Sequence, residues 1–117
     1  MLYMLLIYAN EDEWASLSEV EQAAVMREHD RLEADLRAAG KYRSCAALEP
    51  TGSATTVRVR SGKTLVTDGP FTETKEQFGG YYLVDAKDLD DAMAIAARIP
   101  TACNGSVEVR PVLMLNQ

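Results

Sequence analysis

A chain of 117 residues, 47% of them apolar, has room for one packed core and none for a second, so residues 1–117 are read as a single domain. Its 18 acidic residues against 12 basic ones leave a net charge of −6, which argues against nucleic acid or anionic membrane as a direct partner. Arg58, Arg60 and Lys63 form one local basic cluster within that acidic whole.

The opening MLYMLLIYA run has no basic flank, meets Glu11, Asp12 and Glu13 at once, and is far shorter than the roughly 20 residues of a membrane span. It reads as a strand, Leu2–Tyr8, apolar on both faces and therefore central in a sheet. Ser16 and Ser18 each begin an S-x-x-E capping box, and Gly40 supplies a stop. Between them Val25, His29, Leu32, Leu36 and Ala39 form an apolar stripe, with Arg27, Glu28, Arg31, Glu33 and Arg37 mostly off it. The single histidine thus lies on the buried side of an amphipathic helix.

Lys41–Leu48 follows as a short strand, closed by Glu49–Ser53. Thr55–Arg60 and Lys63–Thr67 alternate around a Ser61-Gly62 turn and form a hairpin. The loop Asp68–Gln77 (DGPFTETKEQ) leads through Gly79-Gly80 into Tyr81–Val84, a second doubly apolar strand. Asp68 is suited to bracing its own turn, Phe71 to pinning the loop on the core, and Thr74-x-x-Gln77 to starting a helical turn. Asp88 caps a shorter helix with a stripe of Leu89, Ala92, Ala96 and Ile99, ended by Pro100. The last strand, Ser106–Leu115, contains Pro111 and suits an edge.

Without the hairpin, the order is strand–helix–strand–strand–helix–strand. Right-handed crossovers turn it into a ferredoxin-like α+β sandwich with both helices on one face and the two doubly apolar strands in the middle. The other face of those strands is then left uncovered. A homodimer packing sheet on sheet covers it; the Thr55–Thr67 hairpin folding over the sheet is the alternative.

Asp68–Glu76 followed by Gly79-Gly80-Tyr81-Tyr82 resembles the signature of the DGPF group of YCII-related proteins. Tyr3–Tyr8, Met26–His29 and Val107–Pro111 are similar to the same family. The resemblance implies a dimeric α+β barrel made from two ferredoxin-like sheets. It also implies a His–Asp pair in a cleft, for which His29 and Asp68 are the catalytic candidates. At least one relative is a lyase that removes chloride from a chlorinated aromatic, and others are associated with extracytoplasmic-function sigma factors.

Two functions follow as expectations. One is a small-molecule lyase or hydrolase, in which Asp68 orients His29 as a general base. Tyr8 and Tyr81, or Tyr82, line its aromatic pocket, and Arg58 and Arg110 hold an anionic substrate. The other is a non-catalytic binding or regulatory module with a sigma-factor partner. Each residue also has a plainer role: a histidine satisfied at a helix–sheet boundary, tyrosines in the core, arginines on solvated strands. Cys45 and Cys103 lack C-x-x-C spacing and read as free thiols of a cytoplasmic protein. No ligand spacing points to a metal or another cofactor.

Overall fold

A computed structural model describes residues 1–114. Its strands are β1 (Leu2–Ala9), β2 (Tyr42–Ala47), β3 (Thr55–Arg60), β4 (Lys63–Asp68), β5 (Gln77–Asp85) and β6 (Ser106–Pro111). Its α-helices are α1 (Glu11–Ser16), α2 (Glu19–Ala38) and α3 (Leu89–Ala97). β1, β2, β5 and β6 form one antiparallel sheet in the order β2-β5-β1-β6, the ferredoxin-like arrangement. The two doubly apolar strands, β1 and β5, occupy its centre, and the proline-bearing β6 lies at an edge. The last strand stops at Pro111, and the expected continuation to Leu115 runs beyond the described residues.

The core lies on one face of this sheet. Tyr3 and Leu5 of β1 and Tyr82 and Val84 of β5 pack against Leu32 and Leu36 of α2, Ala92, Ile95 and Ala96 of α3, and Ile99 just beyond it. Leu5, Leu32, Val84 and Ile99 are fully buried, each contributing roughly 1.5–3 kcal/mol relative to an exposed side chain. Leu89, expected in the α3 stripe, is exposed at the helix start, and Ile95 stands in the core instead. The opposite parity of β1 and β5, Leu2, Met4, Leu6, Tyr81 and Leu83, belongs to no part of this core. Those residues are half-buried.

Helix α2 starts as its capping box dictates. The Ser18 hydroxyl accepts from Glu21 N at 3.1 Å, and Ser18 N donates to the Glu21 carboxylate at 3.0 Å. The Ser16 box does not form, because Ser16 ends a separate short helix and donates its hydroxyl to Glu13 O. That helix, α1, is capped by Asn10 and carries Glu11, Asp12 and Glu13 in its first turn, where the helix dipole favours negative charge.

The hairpin β3–β4 stands apart as its own two-stranded sheet. Ser61 and Gly62 both have positive φ, 51° and 74°, as a tight hairpin turn requires. Every residue of β4 is exposed, so within one chain the hairpin does not cover the open face of the main sheet. At the other end of the β2–β5 pair, a Cβ on Gly80 would lie 2.6 Å from the Ala46 carbonyl oxygen, whereas one on Gly79 meets open space.

Candidate functional site

His29 lies on the α2 stripe above β5, and its Nδ1 is 2.6 Å from the Tyr82 hydroxyl oxygen. The rings are 5.9 Å apart, centroid to centroid, and tilted by 35°. Burial pushes the His29 pKa down, opposed by the nearby Asp30 carboxylate. Burial also raises the Tyr82 hydroxyl pKa well above the ordinary phenol range. The pair is therefore neutral near pH 7. One tautomer has Tyr82 donating to Nδ1, with the proton on Nε2; the other has Nδ1–H donating to Tyr82, leaving a lone pair at Nε2. Both forms suit a group that gives and takes a proton.

Further along α2, Glu33 and Arg37 extend the same row at four-residue intervals. Cys45, which pairs with Tyr82 in the β2–β5 register, donates its thiol to one Glu33 oxygen at 3.3 Å. Arg37 Nε donates to the other at 3.1 Å, and the Tyr42 hydroxyl donates to Cys45 Sγ at 3.4 Å. The Arg37 guanidinium also lies over the Tyr42 ring, 4.1 Å from its centroid. Hydrogen bonds from Cys45 and then Arg37 pull the Glu33 pKa down, while burial pushes that of Cys45 up. Cys45 is thus a protonated donor here and not a thiolate nucleophile. Sequence reasoning missed Cys45 and Tyr42, and it placed Glu33 and Arg37 away from the stripe. The spacing of His29, Glu33 and Arg37 was the available signal.

The other candidates lie elsewhere. Asp68 ends β4 opposite Thr55, is exposed, and has no hydrogen bond to His29 or to the amides of its own loop within the described residues. Thr56 and Ala54 brace the loop instead: Gly69 N donates to Ala54 O at 2.7 Å, and the Thr56 hydroxyl donates to Gly69 O at 2.8 Å. Phe71 does not pin the loop; it is 73% exposed, because the turn set by Gly69 and Pro70 carries its ring away from the core. No helical turn begins at Thr74, whose hydroxyl donates to Glu76 O. The loop is tied to the body through Gln77, which accepts from Glu11 N at 3.0 Å and donates to Thr74 O at 2.6 Å. The Glu11 carboxylate in turn accepts from the amide and hydroxyl of Thr51, at 2.8 and 2.9 Å. These ties frame an open cleft of about 370 Å³ whose walls include Thr51, Gly69, Pro70, Thr72 and Glu73.

Tyr8, Tyr81 and Arg110 share the open face of the main sheet. Arg110 pairs with Met4 and Tyr81 with Leu6, while Tyr8 packs on Phe78 with centroids 5.5 Å apart. Arg58 lies on the hairpin, its guanidinium 3.4 Å from the Phe71 carbonyl oxygen. Within one chain the candidates therefore divide among three places: His29 under the helix, Tyr8, Tyr81 and Arg110 on the open face, Asp68 and Arg58 on the hairpin. No group of three or more metal-ligating side chains occurs among the described residues, and no described helix is long and apolar enough to cross a membrane.

The YCII-related domain, as a family model, matches residues 1–116. An uncharacterised protein of Rhizobium meliloti is 41% identical over 116 residues, a span of 97% of this chain and 94% of the relative.

Proposed function

The chain belongs to the YCII-related domain family, and we propose that it is a small-molecule lyase or hydrolase in which His29 is the proton-transfer group. The 2.6 Å contact between His29 and Tyr82 carries this reading. With Nδ1–H directed at the Tyr82 oxygen, Nε2 takes a proton from substrate or water. The resulting imidazolium returns that proton to the leaving group. Tyr82 supplies an orienting contact of the kind expected of Asp68, and the lowered pKa of His29 keeps the ring unprotonated, and so available to accept a proton, at neutral pH. Asp68 joins His29 in this reading as a second acid only where an assembled dimer brings the two together.

The test uses p-nitrophenyl acetate as a probe of proton-transfer reactivity. The wild-type rate is expected to rise with pH through an inflection below 6.5, to vanish in His29→Gln, and to change its pH profile in Tyr82→Phe. Equal rates for wild type and His29→Gln would remove the assignment.

The same reading includes a homodimer built sheet on sheet, since Met4, Leu6, Tyr81 and Leu83 form an apolar strip that lies outside the core and is only partly shielded by the described residues. A second reading, a regulatory module binding an extracytoplasmic-function sigma factor, is favoured by that strip together with the exposed hairpin. Affinity capture on the immobilised protein should retain the sigma factor; an empty eluate counts against the module.

A further inference from the structure

Strand parity gives the β3–β4 hairpin two unlike faces. Val57 and Val66 are paired directly, with Val59 beside them, and all three point to one side together with Thr55, Thr64 and Asp68. Arg58, Arg60 and Lys63 point to the other. Val57 and Val59 are each 60% exposed and Val66 is 65% exposed, so the apolar face is largely uncovered by the described residues. A lone two-stranded hairpin is marginal in water. Its two legs are nevertheless tied together past the ladder by the Gly69–Ala54 and Thr56–Gly69 hydrogen bonds and closed at the tip by the Ser61-Gly62 turn. It is a preformed arm.

Two quantities point to the occupant. A compact chain of this length has a radius of gyration of about 13 Å and exposes about 6,300 Å². This chain has 16.3 Å and 8288 Å². The excess, roughly 2,000 Å² per chain, is of the size that obligate homodimers bury. The second quantity is charge: the arm holds three bases and one acid on a chain of net −6, so it is attracted to the surface of another copy.

We infer that the β3–β4 hairpin is an intersubunit arm whose Val57, Val59 and Val66 face packs against a second copy of this chain. The inference rests on the homodimer proposed above and extends its interface beyond the open sheet face. The arm brings Asp68 to the same contact, since that carboxylate shares the apolar face.

Sedimentation equilibrium of three proteins tests it: wild type, the arm variant Val57→Lys/Val66→Lys, and the sheet-face variant Leu6→Glu. The wild type is expected to be a dimer at tens of micromolar, and the arm variant to weaken it by at least about tenfold. The arm variant should keep the far-ultraviolet circular dichroism of the wild type, because both valines lie outside the core. A dimer constant within about twofold of wild type overturns the arm while leaving the sheet-face dimer in place. A dimer sensitive to the arm substitutions but indifferent to Leu6→Glu supports the arm and removes sheet-on-sheet pairing. A monomeric wild type removes both.

Discussion

In the body of the molecule, Tyr3 and Leu5 meet Leu32 and Leu36 across a helix–sheet interface that excludes water; in the arm, Val57 and Val66 pair across two strands and both face solvent. The same alternation of apolar and polar residues therefore has two outcomes. Where helices return over the strand, the apolar side becomes core. Where the chain turns back after six residues with nothing above it, the apolar side stays a surface. Body stability belongs to one chain, whereas the apolar side of the arm is left largely uncovered by the described residues.

The contrast is broken most strongly in the body. Leu32→Ala deletes a fully buried side chain under α2 and is expected to cost about 3 kcal/mol in urea unfolding; a loss under about 1 kcal/mol would mean that the interface is looser than its burial implies. Ser18→Ala removes half of the α2 capping box and should cost about 1 kcal/mol by the same measurement.

A single-proton effect comes next. Burial lowers the His29 pKa from its ordinary 6.5, so the unfolded chain binds the extra proton first as pH falls. The stability contributed by the neutral ring is complete above that value and is lost as pH drops through 6.5 toward the lower folded pKa. Unfolding midpoints measured at pH 7.5 and 5.5 should therefore differ less in His29→Gln than in wild type, and equal differences would show that the ring is not held neutral. The smallest effect belongs to the arm. Val57→Ala should change the unfolding free energy of the dilute monomer by less than about 0.5 kcal/mol, since no core contact is lost.

Much of the body was legible in the sequence. Strands without polar alternation must be covered on both sides, which placed β1 and β5 in the middle, and Pro111 placed β6 at an edge. The hairpin and the Ser18 box were equally local signals. Helix α1 was missed because Glu11–Ser16 offers no apolar stripe, although Asn10 before three acids is a capping signal. The candidate site was less legible for a different reason. Helical periodicity shows that His29 faces inward, but which hydroxyl it meets depends on the depth of α2 over β5. That Cys45 stands beside Tyr82 depends on a β2–β5 register that contains an irregularity between Tyr42 and Ser44. Phe71 misled because turn chemistry fixes a loop's shape and says nothing about its depth.

The Gly79-Gly80 doublet invites treatment as a unit, yet its two members face different constraints. Gly80 is closed to any side chain by the Ala46 carbonyl oxygen, while Gly79 opens on free space. In a library of functional variants, the doublet should therefore split, with residue 79 drifting among small amino acids and residue 80 remaining glycine. Half of a repeated letter in the sequence is a packing requirement, and the other half is latitude.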